Sequence, residues 1–225
     1  MWGGLNLKPY LKRGKMNSNT ITAKVTRGNY PAAASIRNVR TLTGIALLSA
    51  ISFVLAFFEL PVPLSPGFAR MDISDFPALI GAMTMGPWVG IAVELVKNIL
   101  GLLSTSTGGV GELANFLMGG ALSFVAGMFY YKWKRPAWCA CLAGSVAMAL
   151  AAAVANYFIL LPLFETFMPL DALIASFAEF IPFIHTKLDV VLLNAIPFNL
   201  LKGLGISLLT LMLYRKLTPV FRGKV

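Results

Sequence analysis

The stretch that decides the fold class is VVLLNAIPFNLLKGLGISLLTLMLY, residues Val190–Tyr214. It is longer than the roughly 20 apolar residues that a helix needs to cross the hydrocarbon core of a bilayer. One of its side chains, Lys202, carries a full charge and lies far from both ends of the run. An ammonium group at that depth costs roughly 2.5 kcal/mol or more on insertion scales, so it indicates a functional site by default.

The composition of the whole chain is typical of an integral membrane protein. Of its 225 residues, 57% are hydrophobic and 12% are charged, and the mean hydropathy is +0.75. A soluble domain would carry about 25% charged residues. Cys139 and Cys141 lie two apart at the start of an apolar run. This position predicts that they are small apolar side chains of a helix and do not form a disulfide framework.

The basic residues fall in three groups along the chain. Eight of the 19 Lys and Arg lie within residues 1–40, three within 132–135 and four within 215–224, and none of these stretches contains Asp or Glu. A net charge of +10 would suit a nucleic-acid-binding protein, but this segregation follows the positive-inside rule of membrane proteins instead. The three groups are therefore expected on the cytoplasmic side.

The apolar runs predict six membrane-spanning helices. The predicted spans are Thr41–Phe58, the two halves of Phe76–Leu103 on either side of Gly86-Pro87, Glu112–Tyr131, Ala137–Leu163 and Leu188–Tyr214. Charge parity favours two short spans within Phe76–Leu103, because a single span there would place the two basic termini on opposite sides. The predicted fold is an all-α bundle of six transmembrane helices with both termini cytoplasmic.

The predicted domain organisation follows from these spans. Residues 1–40 are expected to form a basic, flexible cytoplasmic tail, in which Met16 is an alternative start to Met1. Residues 41–216 form the membrane domain, and residues 217–225 form a second basic cytoplasmic tail. The outer connection Phe164–Thr186 is expected to carry a short surface helix.

Polar side chains inside the spans are the candidate functional residues. Asn199 and Lys202 are three apart and project from nearly one face of a helix, with Asn194 one further turn away. Lys202 meets either a buried ligand or a buried counter-ion, for which Glu94 is the candidate. In the third span, Glu94, Lys97 and Asn98 have the spacing to satisfy one another along one face, and Glu94 is alternatively a coupling-ion carboxylate.

Other residues add to a possible outer pocket. Asn156 in the fifth span and Glu59 after the first span supply a further amide and a further acceptor. Aromatic residues surround these positions in the sequence: Phe57, Phe58, Phe68, Tyr157, Phe158 and Phe198. Such an inventory suits a flat ligand with a polar edge held between apolar walls. In the first span, Ala46 and Ala50 are small residues four apart that would let another helix approach closely.

Sequence signatures of catalysis are missing. The chain has no phosphate-binding loop of the Gly-x-x-x-x-Gly-Lys-Ser/Thr type, no Gly-x-Ser-x-Gly and no His-Glu-x-x-His. Its histidine, His185, lies in the outer connection, and no ligand spacing typical of a metal site is present. The sequence therefore predicts a non-enzymatic membrane protein without cofactor or metal, which needs an ATPase partner or an ion gradient if it transports a solute.

Four stretches resemble one known family. They are Asp72-Ile-Ser-Asp-Phe-Pro-Ala-Leu-Ile-Gly, Gly86-Pro87, Glu94-Leu-Val-Lys-Asn and Gly108-Gly-Val-Gly-Glu-Leu-Ala-Asn-Phe. They are similar to the riboflavin-specific S-components of energy-coupling factor (ECF) transporters, and the resemblance runs over roughly residues 44–214. The resemblance implies the six-helix plan with both ends inside, in the cell membrane of a prokaryote.

The resemblance also implies a ligand, site residues and partners. Riboflavin is the implied transported ligand, contacted by Glu59, Asn156 and the pair Asn199/Lys202. The implied partners are a membrane coupling subunit, which docks on Ala46 and Ala50, and two ATPase subunits. Two alternatives stay open: an S-component for another vitamin, and a stand-alone ion-coupled carrier in which Glu94 and Lys97 are the titrating pair.

Overall fold

The computed structural model describes residues 38–58, 60–61, 70–105, 108–166 and 169–222. Most of the predicted N-terminal tail and the predicted site residue Glu59 lie outside these ranges. The domain boundaries stay predictions.

Helices make up nearly all of the described chain. The helices are α1 Val39–Ala56, α2 Asp75–Thr84, α3 Pro87–Gly101, α4 Val110–Tyr131, α5 Ala137–Ala155, α6 Leu161–Phe164, α7 Leu170–Ala178, α8 Lys187–Val190 and α9 Ile196–Arg222. A 3₁₀ turn, Leu102–Ser104, extends α3. Between α1 and α2, the two-residue strands β1 (Leu60–Pro61) and β2 (Arg70–Met71) pair antiparallel, with Leu60 opposite Met71.

Five helical segments of the described chain are long and apolar enough to cross a membrane. They are Val39–Ala56, Pro87–Ser104, Val110–Tyr131, Ala137–Phe164 and Lys187–Leu217. An all-helical membrane protein is thereby confirmed. The number of crossings and the side on which the termini lie stay predictions, because they depend on the short helix α2.

Helix α2 is short but deeply buried. It has 10 residues, so it is about 15 Å long, half of the roughly 30 Å hydrocarbon core. Every residue from Pro77 to Thr84 is buried by neighbouring helices. Since non-helical backbone at membrane depth is tolerated only where protein covers it, this burial explains how the chain can break there.

The predicted break at Gly86-Pro87 is confirmed. Gly86 has φ 128° and ψ 162°, a backbone conformation that favours glycine, and it separates α2 from α3. Pro87 then occupies the first turn of α3, where its missing N–H is not needed.

Two wide turns interrupt the long C-terminal helices. The π-helical turn Asn156–Leu160 joins α5 to α6, and the π-helical turn Val191–Ala195 joins α8 to α9. Each precedes a proline, Pro162 or Pro197. A proline inside a helix removes one backbone hydrogen bond and clashes with the carbonyl four residues earlier, and widening the preceding turn relieves that clash.

Three apolar clusters hold the described part of the bundle. Leu79, Met83, Leu122, Met148 and Ile206 join α2, α4, α5 and α9. A second cluster joins α1, α2 and α3 through Ile45, Leu48, Ala78, Val89 and Val93. The third joins α6, α7 and α8 through Leu161, Leu173, Phe177, Ile184 and Val190. The surface helix predicted within Phe164–Thr186 is thus confirmed as α7, which packs back onto the bundle.

Candidate ligand-binding site

A cavity of about 240 Å³ lies among α4, α6, α7, α9 and the two π-helical turns. Its polar lining consists of Asp72, Asn115, Asn156, Asn194, Asn199 and Lys202. Its apolar lining is mainly Met118, Leu160, Leu161, Phe164, Phe177 and Phe198. Three of the four predicted ligand-contacting residues, Asn156, Asn199 and Lys202, therefore line one cavity. The fourth, Glu59, lies outside the described part of the chain.

The two π-helical turns deliver amides to this cavity. Asn156 begins the first turn and Asn194 lies in the second. An extra residue in a helical turn rotates the side chains before it relative to those after it, and such turns are frequent at functional sites. The two π-helical turns thus set which face of each helix carries the amides.

Asn156 and Asn199 are each anchored to their own helix. The Nδ2 atom of Asn156 donates to the carbonyl of Ala152 at 2.8 Å, and that of Asn199 donates to the carbonyl of Ala195 at 2.9 Å. An amide group has two donor hydrogens and an acceptor oxygen. Each side chain is therefore held in place while it keeps hydrogen-bonding capacity for a ligand.

Lys202 is buried at the cavity wall and is paired with two carboxylates. Its Nζ atom lies 3.2 Å from Asp72 Oδ2 and 3.0 Å from Asp75 Oδ2. The prediction that Glu94 is the counter-ion of Lys202 was wrong. Because α9 packs against α2, Lys202 instead meets the acids at the N-terminus of α2. An ammonium group has three donor hydrogens. One is donated to Asp72 Oδ2, so Lys202 keeps donor capacity while it is paired with both carboxylates.

The predicted internal pairing in the third span is confirmed. Lys97 Nζ lies 2.7 Å from Glu94 Oε2, and Asn98 Nδ2 donates to the Glu94 carbonyl at 2.8 Å and to Oε2 at 3.3 Å. Lys97 also reaches beyond its own helix, to Asp75 Oδ1 at 2.6 Å and to Ser74 Oγ at 3.1 Å.

These contacts form one buried charge cluster: Asp72, Asp75, Glu94, Lys97 and Lys202. Asp75 lies at its centre, because one of its oxygens meets Lys97 and the other meets Lys202. The side chains of Asp75 and Lys97 are 0% and 2% exposed, so each charge depends on its partners rather than on water. Removal of one member of such a group is costly, since it leaves a buried charge unpaired.

The loop end that enters α2 is fixed to the same cluster. Asp72 accepts hydrogen bonds from the backbone N–H of Ser74, at 2.8 Å, and from its hydroxyl. The carbonyl of Ser74 accepts a hydrogen bond from the Ser52 hydroxyl on α1 at 2.7 Å. The cavity wall is therefore tied to α1, the helix that carries Ala46 and Ala50, both of which are exposed.

Sequence reasoning missed Asp72, Asp75 and Asn115 as members of the site. The available signal was charge balance: a buried Lys202 needs a carboxylate, and Asp72 and Asp75 directly precede an apolar helix. Among the residues that the structure describes, no group of three or more His, Cys, Asp and Glu could hold a metal ion. The arrangement can bind a largely neutral molecule, because the charge of Lys202 is already balanced.

Comparison with known proteins gives consistent matches over most of the chain. Residues 40–214 match a family model described as "ECF transporter, substrate-specific component". The chain is 37% identical over 185 residues to the riboflavin transporter RibU of Staphylococcus aureus, covering 80% of this chain and 91% of that protein. It is 32% identical over 186 residues to the riboflavin transporter FmnP of Bacillus subtilis, covering 80% and 93%.

A solved structure is similar as well. It is that of the S component of a bacterial ECF transporter, with a TM-score of 0.65 and 34% sequence identity. The match covers 82% of this chain and 98% of that one.

Proposed function

The chain belongs to the family of substrate-specific components of ECF transporters, and we propose from this that it binds riboflavin on the outer face of the membrane and delivers it to an ATP-driven import complex. It is a multi-pass protein of the prokaryotic plasma membrane, and it is a transport component rather than an enzyme. Riboflavin is its transported ligand and not a cofactor.

The observation that carries the proposal is the cavity around Lys202. Asparagine side chains, Asp72 and Lys202 line a space of about 240 Å³ whose other walls are mainly aliphatic and aromatic. The isoalloxazine ring of riboflavin is flat, neutral and apolar on its faces, and its pyrimidine-like edge alternates donors and acceptors that match amide groups. A neutral ligand also suits a lysine whose charge is already balanced by carboxylates.

The proposed ligand contacts are Glu59, Asn156, Asn199 and Lys202. Lys202 would donate a charge-assisted hydrogen bond to a ring acceptor, and the two asparagines would pair with the polar edge. Pockets for small molecules usually have about 300–1,000 Å³. The volume of this cavity, about 240 Å³, lies slightly below that range.

The proposed topology has six crossings, with α2 as the short second one. This arrangement places residues 132–135 and both basic ends of the chain on the cytoplasmic side, as the positive-inside rule requires. The cavity residues of α9 then lie toward the outer side, from which a vitamin would arrive.

The proposed partners are a membrane coupling subunit and two ATPase subunits. The described chain offers Ala46 and Ala50 on the exposed side of α1, where small residues let a partner helix approach closely. The sequence has no phosphate-binding loop of its own, so ATP must be hydrolysed elsewhere in the complex.

The test is the absorption spectrum and riboflavin titration of the purified chain. A yellow preparation, or quenching of riboflavin fluorescence on addition of the protein, is the expected result. A colourless preparation that does not bind added riboflavin would contradict the proposal. Uptake by this chain alone in vesicles, driven by a proton or sodium gradient without ATPase subunits, would instead favour the ion-coupled carrier.

A further inference from the structure

One polar atom at the cavity is left without a partner. In the part of the chain that the structure describes, four buried side-chain atoms have no hydrogen-bond partner: Asp75 Oδ2, which is ion-paired with Lys202, Glu94 Oε1, Asn115 Oδ1 and Ser123 Oγ. Of these four residues, Asn115 lines the cavity. Buried acceptors are nearly always paired in folded proteins, so an unpaired one on a residue that lines a cavity is a candidate acceptor for a ligand donor.

The neighbouring amides make this position distinct. Asn156 and Asn199 each donate an N–H to a backbone carbonyl of their own helix. Lys202 donates a hydrogen bond to Asp72 and forms an ion pair with Asp75. They are anchored groups that retain donors for the acceptor atoms of a ligand. Asn115 supplies the complementary function, since it lines the same cavity and its side-chain oxygen is an acceptor without a hydrogen-bond partner.

We infer that Asn115 is a ligand-contacting residue whose Oδ1 accepts a hydrogen bond from the imide N–H of the flavin ring, and that it makes the site selective for ligands with a free N–H there. The inference rests on the proposed function. Riboflavin has one ring N–H, flanked by two carbonyls, and the remaining donors are hydroxyls of its sugar-like chain. An asparagine amide can pair with both the N–H and an adjacent carbonyl of such an edge.

The surroundings of Asn115 favour the ring over the hydroxylated chain. Met118 lies one helical turn further along α4 and also lines the cavity, as do Phe164, Phe177 and Phe198. Flat apolar surfaces of this kind stack on an aromatic ring and offer nothing to a chain of hydroxyl groups. The polar edge of a ring held by these side chains would therefore meet the amide.

The test compares two ligands, riboflavin and riboflavin methylated on the imide nitrogen, by fluorescence quenching. The purified chain should bind the methylated ligand about tenfold or more weakly, which corresponds to one hydrogen bond lost with its acceptor left unpaired. Asn115→Leu, which is close to isosteric, should bind riboflavin about tenfold more weakly and should bind both ligands equally well.

A matched control lies on the same helix. Ser123 is buried, its hydroxyl is also without a partner, and it does not line the cavity. Ser123→Ala should keep the riboflavin affinity and the preference of the unmodified chain. The ligand-free Asn115→Leu variant should melt at the same or a higher temperature than the unmodified chain, because the substitution removes an acceptor that the empty site leaves unpaired.

Three results would overturn the inference. They are equal affinity of the unmodified chain for both ligands, an unchanged preference in Asn115→Leu, and a lower melting temperature of the ligand-free variant. Failure of the unmodified chain to bind either flavin would instead reject the proposed function itself, so the two failures are distinguishable.

Discussion

Lys202 Nζ lies 3.0 Å from Asp75 Oδ2, and both side chains are almost completely buried. The contact joins the N-terminal third of α9 to the first residue of α2, across the wall of the cavity. A substitution of Lys202 would therefore disturb two things together: the compensation of buried carboxylates and the donor that Lys202 offers in the proposed ligand site.

We expect Lys202→Met to weaken riboflavin binding and to destabilise the protein. The variant loses a charged donor to the ligand, and it leaves Asp72 without its amine and Asp75 with Lys97 alone. The expected loss in the free energy of unfolding is about 3–5 kcal/mol. Thermal unfolding in detergent and a riboflavin titration measure the two effects separately.

The double variant Lys202→Met/Asp72→Asn separates the two roles. Neutralising Asp72 removes one of the unpaired charges, so part of the lost stability should return while the riboflavin affinity stays low. Recovery of affinity along with stability would mean that Lys202 acts only through the fold. Unchanged affinity in the single variant would exclude a ligand contact altogether.

Lys97→Met tests the part of the buried charge cluster that lies away from the cavity. Lys97 compensates Asp75 and Glu94 and does not line the cavity. The expected loss is again about 3–5 kcal/mol in the free energy of unfolding, because two buried carboxylates lose a partner. Glu94→Gln is the milder comparison, since Lys97 keeps Asp75 and Asn98 keeps the Glu94 carbonyl.

Riboflavin binding distinguishes the possible roles of Lys97. Where a Lys97→Met preparation remains folded, its affinity should be close to that of the unmodified chain. A selective loss of binding, with no change in the unfolding temperature, would contradict the structural role given to this lysine here.

Much of the fold could be predicted because the bilayer imposes strong constraints on sequence. The predicted span Ala137–Leu163 corresponds to a continuous helical segment that ends at Phe164. The break at Gly86-Pro87 was also predictable, since proline and a positive-φ glycine leave few alternatives. The π-helical turns were not, because Pro162 and Pro197 mark strain without deciding whether a kink or a wider turn relieves it.

The candidate site could be predicted only in part. An amine or amide in an apolar run stands out, and Asn156, Asn199 and Lys202 do line one cavity. The partners of Lys202 depend on which helix faces α9, and no periodicity within a helix contains that information. Asn115 could not be recognised from the sequence for a related reason. It stands out because its buried side-chain oxygen has no partner, and both that burial and the cavity exist only in the folded chain.

Gly119 is a position where a single methyl group should matter. A Cβ atom there would lie 2.7 Å from Glu94 Cδ and Oε2 and 2.9 Å from Asp75 Oδ1. Gly119→Ala must therefore displace the buried charge cluster, and we expect a loss of about 1–3 kcal/mol in the free energy of unfolding. The neighbouring Gly120→Ala is the control, because its Cβ would meet nothing closer than Ile91 at 3.8 Å.

The two glycine variants should differ in sign. Alanine is favoured over glycine inside a helix by roughly 0.5–1 kcal/mol, so Gly120→Ala should be neutral or slightly stabilising. Thermal unfolding of both variants, side by side, measures the difference. Equal melting temperatures would mean that α4 can move away from the cluster without cost.

Ala46→Trp tests the proposed docking surface on α1. Ala46 is exposed, so a large side chain there should leave the bundle and the riboflavin affinity unchanged. It should nevertheless abolish riboflavin uptake by the assembled transporter, because an indole ring prevents the close approach of a partner helix.

Leu150→Trp is the matched control for Ala46→Trp. Leu150 is 60% exposed on α5, and the substitution should spare both riboflavin binding and uptake. Co-purification of the coupling subunit with each variant locates the defect, since a docking role requires that Ala46→Trp loses the subunit and Leu150→Trp retains it. Full uptake by Ala46→Trp would place the docking surface elsewhere on the bundle.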